Sequence, residues 1–202
     1  MNTRNTDQTR DKLLDAAFSE IHRHGYQAAS IANILQNTGL TKGALYHHFP
    51  TKRDLGLAVI DEVIRERLEG LIFRRLRGSS QPMNTLLEII SDKASIEPEA
   101  VVLGCPLNNL MQEMSPLDDD FKDKLNDLLT TWGSIVEDAL VRAQADGVVR
   151  TDVDCRAASL FIVSAWEGCV GIAKNLQSPE SFWLCLEQLQ GYVKSLMAGP
   201  PA

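Results

Sequence analysis

The 202-residue sequence predicts an all-α fold. Three observations carry that reading. Apolar residues recur at three- and four-residue intervals almost everywhere after Asp7, runs of β-branched alternation are few, and helix start and stop residues fall between the periodic stretches. The pattern divides into an N-terminal three-helix group with a helix-turn-helix arrangement (residues 1–51), a connecting helix (52–78) and a helical C-terminal domain (79–202).

The first helix is expected over residues 7–24, with Leu13, Leu14, Ala17, Phe18 and Ile21 on one face and Gly25 as its left-handed stop. Ser30 caps a second helix over 31–38 that buries Ile31, Ile34 and Leu35, and Gly39 turns the chain into a two-turn third helix capped by Thr41. Thr51 with Asp54 three residues on has the form of a capping box and opens a fourth helix that runs through Arg74, Arg75 and Arg77 to Gly78. Residues 78–82, Gly-Ser-Ser-Gln-Pro, form the boundary.

Beyond it, helices are expected over 83–96 and 107–114, joined by a connection over 98–106 that contains Gly104 and Cys105. A long helix starts at Pro116 and ends at Asp146-Gly147. Two more follow, over 155–176 and 179–197, before a frayed Gly199-Pro200-Pro201 tail. The last helix repeats Phe182, Leu186, Leu189, Val193 and Leu196 at heptad-like steps, and its predecessor carries Ser164, Ala165, Gly168 and Gly171. Such a pair fits a two-fold four-helix bundle as well as an intrachain core.

The net charge of −7 is unevenly spread. Residues 1–78 hold 12 Lys and Arg against 9 Asp and Glu, leaving 8 against 18 for the remainder. No acidic residue occurs in the 33 positions between Glu20 and Asp54, where the chain's average density would place roughly four; a carboxylate-free surface suits a polyanion. The four cysteines, Cys105, Cys155, Cys169 and Cys185, match neither a metal site nor a dense disulfide framework and are expected to be reduced thiols. The histidines, His22 with His24 and His47 with His48, do not share a helix face for a metal, so no metal or other cofactor is expected. No apolar run suggests a membrane span and no secretory leader is visible, which implies a cytoplasmic protein. Gly-x-Ser-x-Gly, a Gly-rich phosphate loop and His-Glu-x-x-His are all missing from the sequence, which leaves little basis for an enzyme.

Residues 7–60, and above all Thr41-Lys42-Gly43-Ala44-Leu45-Tyr46-His47-His48-Phe49 with Lys52, resemble the DNA-binding domain of TetR-family transcriptional regulators. The residue chemistry agrees. Gly43 and Ala44 are small enough for close approach to base edges, Lys42 supplies a donor beside them, and Leu45 and Phe49 share a face suited to packing. The resemblance implies phosphate contacts at Thr41, Tyr46 and Lys52, base-proximal roles for Lys42, Gly43, Ala44 and His47, and a backbone contact from Ser30. Ser30, Thr41 and Thr51 are also caps, and His48 reads as a packing or solvent residue. Arg4 and Arg10 suit either a minor-groove arm or simple solvation.

The resemblance further implies a repressor that binds a palindromic double-stranded operator as a homodimer through its last two helices, released by a small-molecule or electrophile signal. Candidate effector contacts are Asn108, Asn109, Met111, Gln112, Met114, Trp132, Phe161 and Trp166, each equally explicable as core or surface. Cys105 stands between Gly104 and Pro106 ahead of a short helix, a position that favours a thiolate, and Gly104-Cys105-Pro106-Leu107-Asn108-Asn109-Leu110 is similar to a segment in a branch of the family that senses electrophiles and oxidants. The alternative is a ligand-binding or protein-interaction module in which the helix-turn-helix does not touch DNA.

Overall fold

The computed structural model describes residues 3–36 and 38–199, with side chains from residue 8 onward. It is helical, as the sequence predicts, with one isolated antiparallel bridge, Val149 with Met197, among the described residues. The helices are α1 (Thr3–His24), α2 (Ile31–Gln36), α3 (Lys42–His48), α4 (residues 52–77), α5 (Pro82–Ser91), α6 (Pro98–Leu103), α7 (Pro106–Met114), α8 (Asp119–Ala145), α9 (Cys155–Leu176) and α10 (Pro179–Ser195). Two compact units are formed, one from residues 1–67 with 106–126 and the other from 68–105 with 127–202.

In the first unit, α1 buries Leu13, Leu14, Ala17, Phe18 and Ile21 as its periodicity requires, and Gly25 ends it at φ 83°. Leu45, Phe49, Leu55 and Val59 close over that face from α3 and α4. Ile34 is buried while Ile31 and Leu35 remain partly exposed, because α2 has fewer than two turns to wrap. The predicted capping box forms: the Thr51 hydroxyl accepts the Asp54 N–H, and the Asp54 carboxylate accepts the Thr51 N–H, each at 3.0 Å. Gly56 is fixed by close packing, since a Cβ there would lie 2.6 Å from the Tyr26 ring and 2.8 Å from Phe121.

Helix α4 is not uniform. α-Helical turns at Lys52–Ala58, Arg65–Leu68 and Arg74–Arg77 alternate with π-helical ones at Val59–Ile64 and Glu69–Phe73, a feature that no residue pattern announces and that often accompanies functional segments. Helix α8 starts at Asp119 rather than Pro116, because the Asp118 carboxylate accepts the N–H groups of Asp120 (3.0 Å) and Phe121 (3.2 Å) and so acts as the cap.

The second unit corrects several expectations. Helix α5 stops at Ser91, not residue 96: Asp92 leaves helical geometry and its carboxylate takes the Ser95 hydroxyl and the Arg75 guanidinium, both of which hold it below the usual carboxylate range. The expected connection over 98–106 contains helix α6, for which Pro98 is the first-turn residue rather than a break. Helix α10 ends at Ser195, and the chain then pairs with the segment after α8, Arg150 N–H to Leu196 O at 3.0 Å and Ala198 N–H to Val148 O at 2.8 Å. Of the predicted tail, residues 200 and 201 lie outside the described residues.

Two corrections matter for function. The heptad-like residues Phe182, Leu186, Leu189, Val193 and Leu196 are all at most 5% exposed within the single chain, so that seam is intrachain core. Cys169 and Cys185 are not free thiols but a disulfide joining α9 to α10, with Cα atoms 5.6 Å apart; the 16-residue spacing spans one antiparallel helix hairpin, which brings two distant positions to the same level. Helix α9 is long and apolar enough to cross a membrane by length and composition alone, but half of its apolar window is buried against its own chain, as in a core helix.

Candidate nucleic-acid interface

The recognition segment is built by local bonds. Thr38 donates its hydroxyl to Leu35 O at 2.9 Å and accepts the Leu40 N–H at 3.1 Å, which shapes the turn in which Gly39 takes φ 69°. Thr41, extended at φ −94° and ψ 160°, accepts the Ala44 N–H on its side chain at 3.2 Å and starts α3. Ser30 does the same for α2 by accepting the Asn33 N–H at 3.1 Å.

Helix α3 then separates its two faces. Leu45 and Phe49 are buried at 0% and 3% exposure, four residues apart, and anchor the helix. Lys42, Gly43, Tyr46 and His47 are exposed; they fall at i, i+1, i+4 and i+5 and therefore share the opposite face, with Ala44 half-buried at its edge. Among the described residues, apart from its chain neighbours and its own helix backbone, only the Thr41 hydroxyl, 3.8 Å away, comes within van der Waals range of a Cβ at Gly43. Packing within the chain does not require glycine there. A cation, a phenol and an imidazole around a bare backbone form a donor-bearing surface that fits phosphate oxygens and base edges.

Lys52 is placed differently from an open phosphate contact. Its Nζ lies 4.6 Å from the Tyr26 ring centroid and donates to Gln27 O at 3.3 Å; burial lowers its pKa while Glu113 pulls it back up. Arg10 ion-pairs with Glu62 and stacks 5.1 Å from the Phe49 ring, so it is engaged in the fold; the Arg4 side chain lies outside the described residues.

The residues that sequence reasoning missed are those holding this segment from α7 and the start of α8. Glu113 accepts the N–H groups of Tyr26 (2.8 Å) and Gln27 (2.7 Å), fixing the loop that leads into α2. Arg53 spans Asp118 (2.7 and 3.0 Å) and Asp120 (2.5 Å), and Lys124 ion-pairs with Asp61. The Arg53 hydrogen bond depresses the Asp118 pKa, and the Arg10 hydrogen bond depresses that of Glu62. Burial, followed by the charge of Asp118, raises that of the Tyr26 phenol. Pairs this far apart in the chain leave no local signal.

Of the effector candidates, Trp132 and Trp166 are buried and stacked edge-to-face with ring centroids 6.2 Å apart. Asn108 and Gln112 touch along α7 at 3.5 Å, with Met111 and Asn109 half-buried and Met114 buried. Phe161 is 51% exposed and packs on Tyr192 at 4.5 Å, on the outer side of α9 and apart from the Trp pair. Cys105 is half-buried; Cys155 is buried, and that burial raises its pKa.

Comparison with known proteins agrees with this geometry. Residues 13–59 match the family model for bacterial regulatory proteins of the tetR family, and residues 75–188 match that for the tetracyclin repressor-like C-terminal domain. The transcriptional regulator AcuR of Cereibacter sphaeroides is 32% identical over 171 residues, 83% of this chain and 77% of that protein. The HTH-type transcriptional repressor DhaR of a Mycobacterium species is 24% identical over 161 residues, 80% of each. The crystal structure of a TetR regulatory protein from Rhodobacter sphaeroides superposes with a TM-score of 0.80 at 27% identity, covering 93% of this chain and 98% of that one. An exposed, capped α3 with a donor-bearing face, within two matched domains, thus has one meaning: the chain belongs to the TetR family of helix-turn-helix transcriptional regulators, which bind DNA and are not enzymes.

Proposed function

We propose that the protein is a homodimeric repressor of a palindromic operator, with residues 1–51 binding DNA, 52–78 connecting, and 79–202 serving effector binding and dimerisation. The observation that carries the DNA contact is the face of α3 formed by Lys42, Gly43, Tyr46 and His47. It would enter the major groove with Ala44 at its edge and Thr41 toward phosphate. Lys52 holds the loop at Tyr26 and Gln27 and adds positive charge beside the duplex. Sharing a compartment with the chromosome, the protein acts in the cytoplasm.

Dimerisation is assigned to the outer side of α9 and α10. There Leu160, Phe161, Ile172, Leu176 and Leu184 are 51–69% exposed, and the small residues Ala165 and Gly168 line a groove of about 390 Å³. Exposed apolar area of this kind, interrupted by small residues, suits a helix pair from a second copy. Effector contacts are proposed within each unit by itself: Asn108, Met111 and Gln112 on α7 in the first, and the stacked Trp132 and Trp166 in the second, where Cys105 is the reactive group for an electrophile. Phe161 moves from the effector set to the dimer face.

Selection from a pool of randomised duplex DNA at about 100 mM salt, where screening still permits specific contacts, tests the reading. Enrichment of a palindrome by the wild type and its loss with Lys42→Ala are expected. No enrichment by a folded dimer would return the chain to the non-DNA alternative.

A further inference from the structure

We propose that Cys169 and Cys185 are a thiol–disulfide switch that sets the strength of the α9/α10 dimer face. The proposal rests on the dimer reading above and adds its regulation. The bond ties α9 to α10 in the middle of that face: both cysteines line the outer groove together with Ala165, Gly168, Ile172 and Tyr192. Ile172 and Leu184, each within three positions of one cysteine, are 62% and 56% exposed. The relative position of the two helices, and so the shape a second copy meets, is therefore held by this link.

The two cysteines differ in access. Cys185 is half-buried at the groove, whereas Cys169 is buried at 3% exposure. That is the arrangement of an attacking thiol and a resolving one. A hydroperoxide is the oxidant class that fits a less buried thiol beside a second one. The Cys185 thiolate attacks the distal peroxide oxygen, forming S–O and breaking O–O, and the alkoxide leaves and takes a proton to give the alcohol, or water from hydrogen peroxide. The Cys169 thiolate then attacks the Cys185 sulfur, forming S–S and expelling hydroxide, which takes a proton to give water. The sulfur pair loses two electrons and the peroxide gains them. A dithiol reductant reverses the bond by exchange at the sulfur of Cys185, the less buried of the two residues.

A protein that works on DNA inside a cell lives among reducing thiols, where a disulfide is usually transient and regulatory rather than structural. A second copy seated on the groove would cover Cys185, so the oxidised dimer also shields its own bond. Oxidation strengthens the dimer and reduction loosens it.

The test is sedimentation equilibrium of the full chain, oxidised with hydrogen peroxide or reduced with dithiothreitol, with bond formation verified by peptide mass. Wild-type protein is expected to show a dimer dissociation constant about tenfold higher when reduced, since the helix pair must then be ordered on association. Cys169→Ser and Cys185→Ser are expected to sit at the reduced value under both conditions, with helix content checked by circular dichroism. An equal constant for the two verified states of the wild type would overturn the switch. Ile172→Asp in the oxidised protein separates the two readings. A dimer lost with Ile172→Asp but indifferent to redox state refutes the switch alone, and a dimer unaffected by Ile172→Asp refutes the dimer face and the switch with it.

Discussion

At the scale of single residues, Gly43 separates folding from recognition. Its missing side chain opposes helix formation by roughly 1 kcal/mol relative to alanine, and the surroundings leave room for a methyl group. Gly43→Ala is accordingly expected to raise the melting temperature slightly and to weaken operator binding by tenfold or more, read by thermal denaturation and fluorescence anisotropy on the same preparation. Glu113 has the converse character: its carboxylate accepts two backbone N–H groups ahead of α2. Glu113→Ala should cost about 1–3 kcal/mol by leaving those donors without their acceptor, with faster hydrogen exchange at the Tyr26 and Gln27 amides. The exposed face of α3 was legible because it is contiguous in sequence and its cap is local. Glu113 was not, because its role depends on a partner 86 or 87 positions away.

At the scale of elements, charge pairs fasten α4 to neighbours within the first unit. Asp118 and Glu62 have folded pKa values depressed by Arg53 and Arg10 respectively. A depressed carboxylate contributes stability that is present above its unfolded value, near 4 for these groups, and is lost as pH falls through the lower folded value. The melting temperature should therefore decline between about pH 5 and pH 2, and the decline should be shallower in Arg53→Ala, whose Asp118 lacks that partner. Helix existence was readable almost throughout, from periodicity and caps. Boundaries moved where a polar side chain took over a backbone group, as Asp118 does at α8, or where proline opened a helix instead of closing one, as at Pro98. The π-helical turns of α4 had no residue signature at all.

At the scale of the whole molecule, residues 1–78 hold more base than acid and residues 79–202 hold 18 acidic residues against 8 basic ones. Periodicity read the α10 seam as a match for a second copy, yet those residues fill the chain's own core and the exposed apolar side of α9 and α10 lies elsewhere. A heptad-like spacing identifies a buried stripe without saying what buries it, which is why the exposed apolar side of α9 and α10 became visible only in three dimensions. Leu176→Asp should shift the protein toward monomer in sedimentation and weaken operator binding, with helix content unchanged, since Leu176 is 57% exposed in the single chain.

The central claim is that α3 meets DNA through Lys42 and its neighbours. The measurement that addresses it most directly is the affinity for a selected palindromic duplex as a function of salt, in wild type and Lys42→Ala. The account predicts a steep fall of wild-type affinity with salt and, for Lys42→Ala, binding to the palindrome weakened by about tenfold or more at each salt concentration, with relaxed preference for it over random duplex, as expected of a lost base contact. Identical affinity for the two proteins would contradict it.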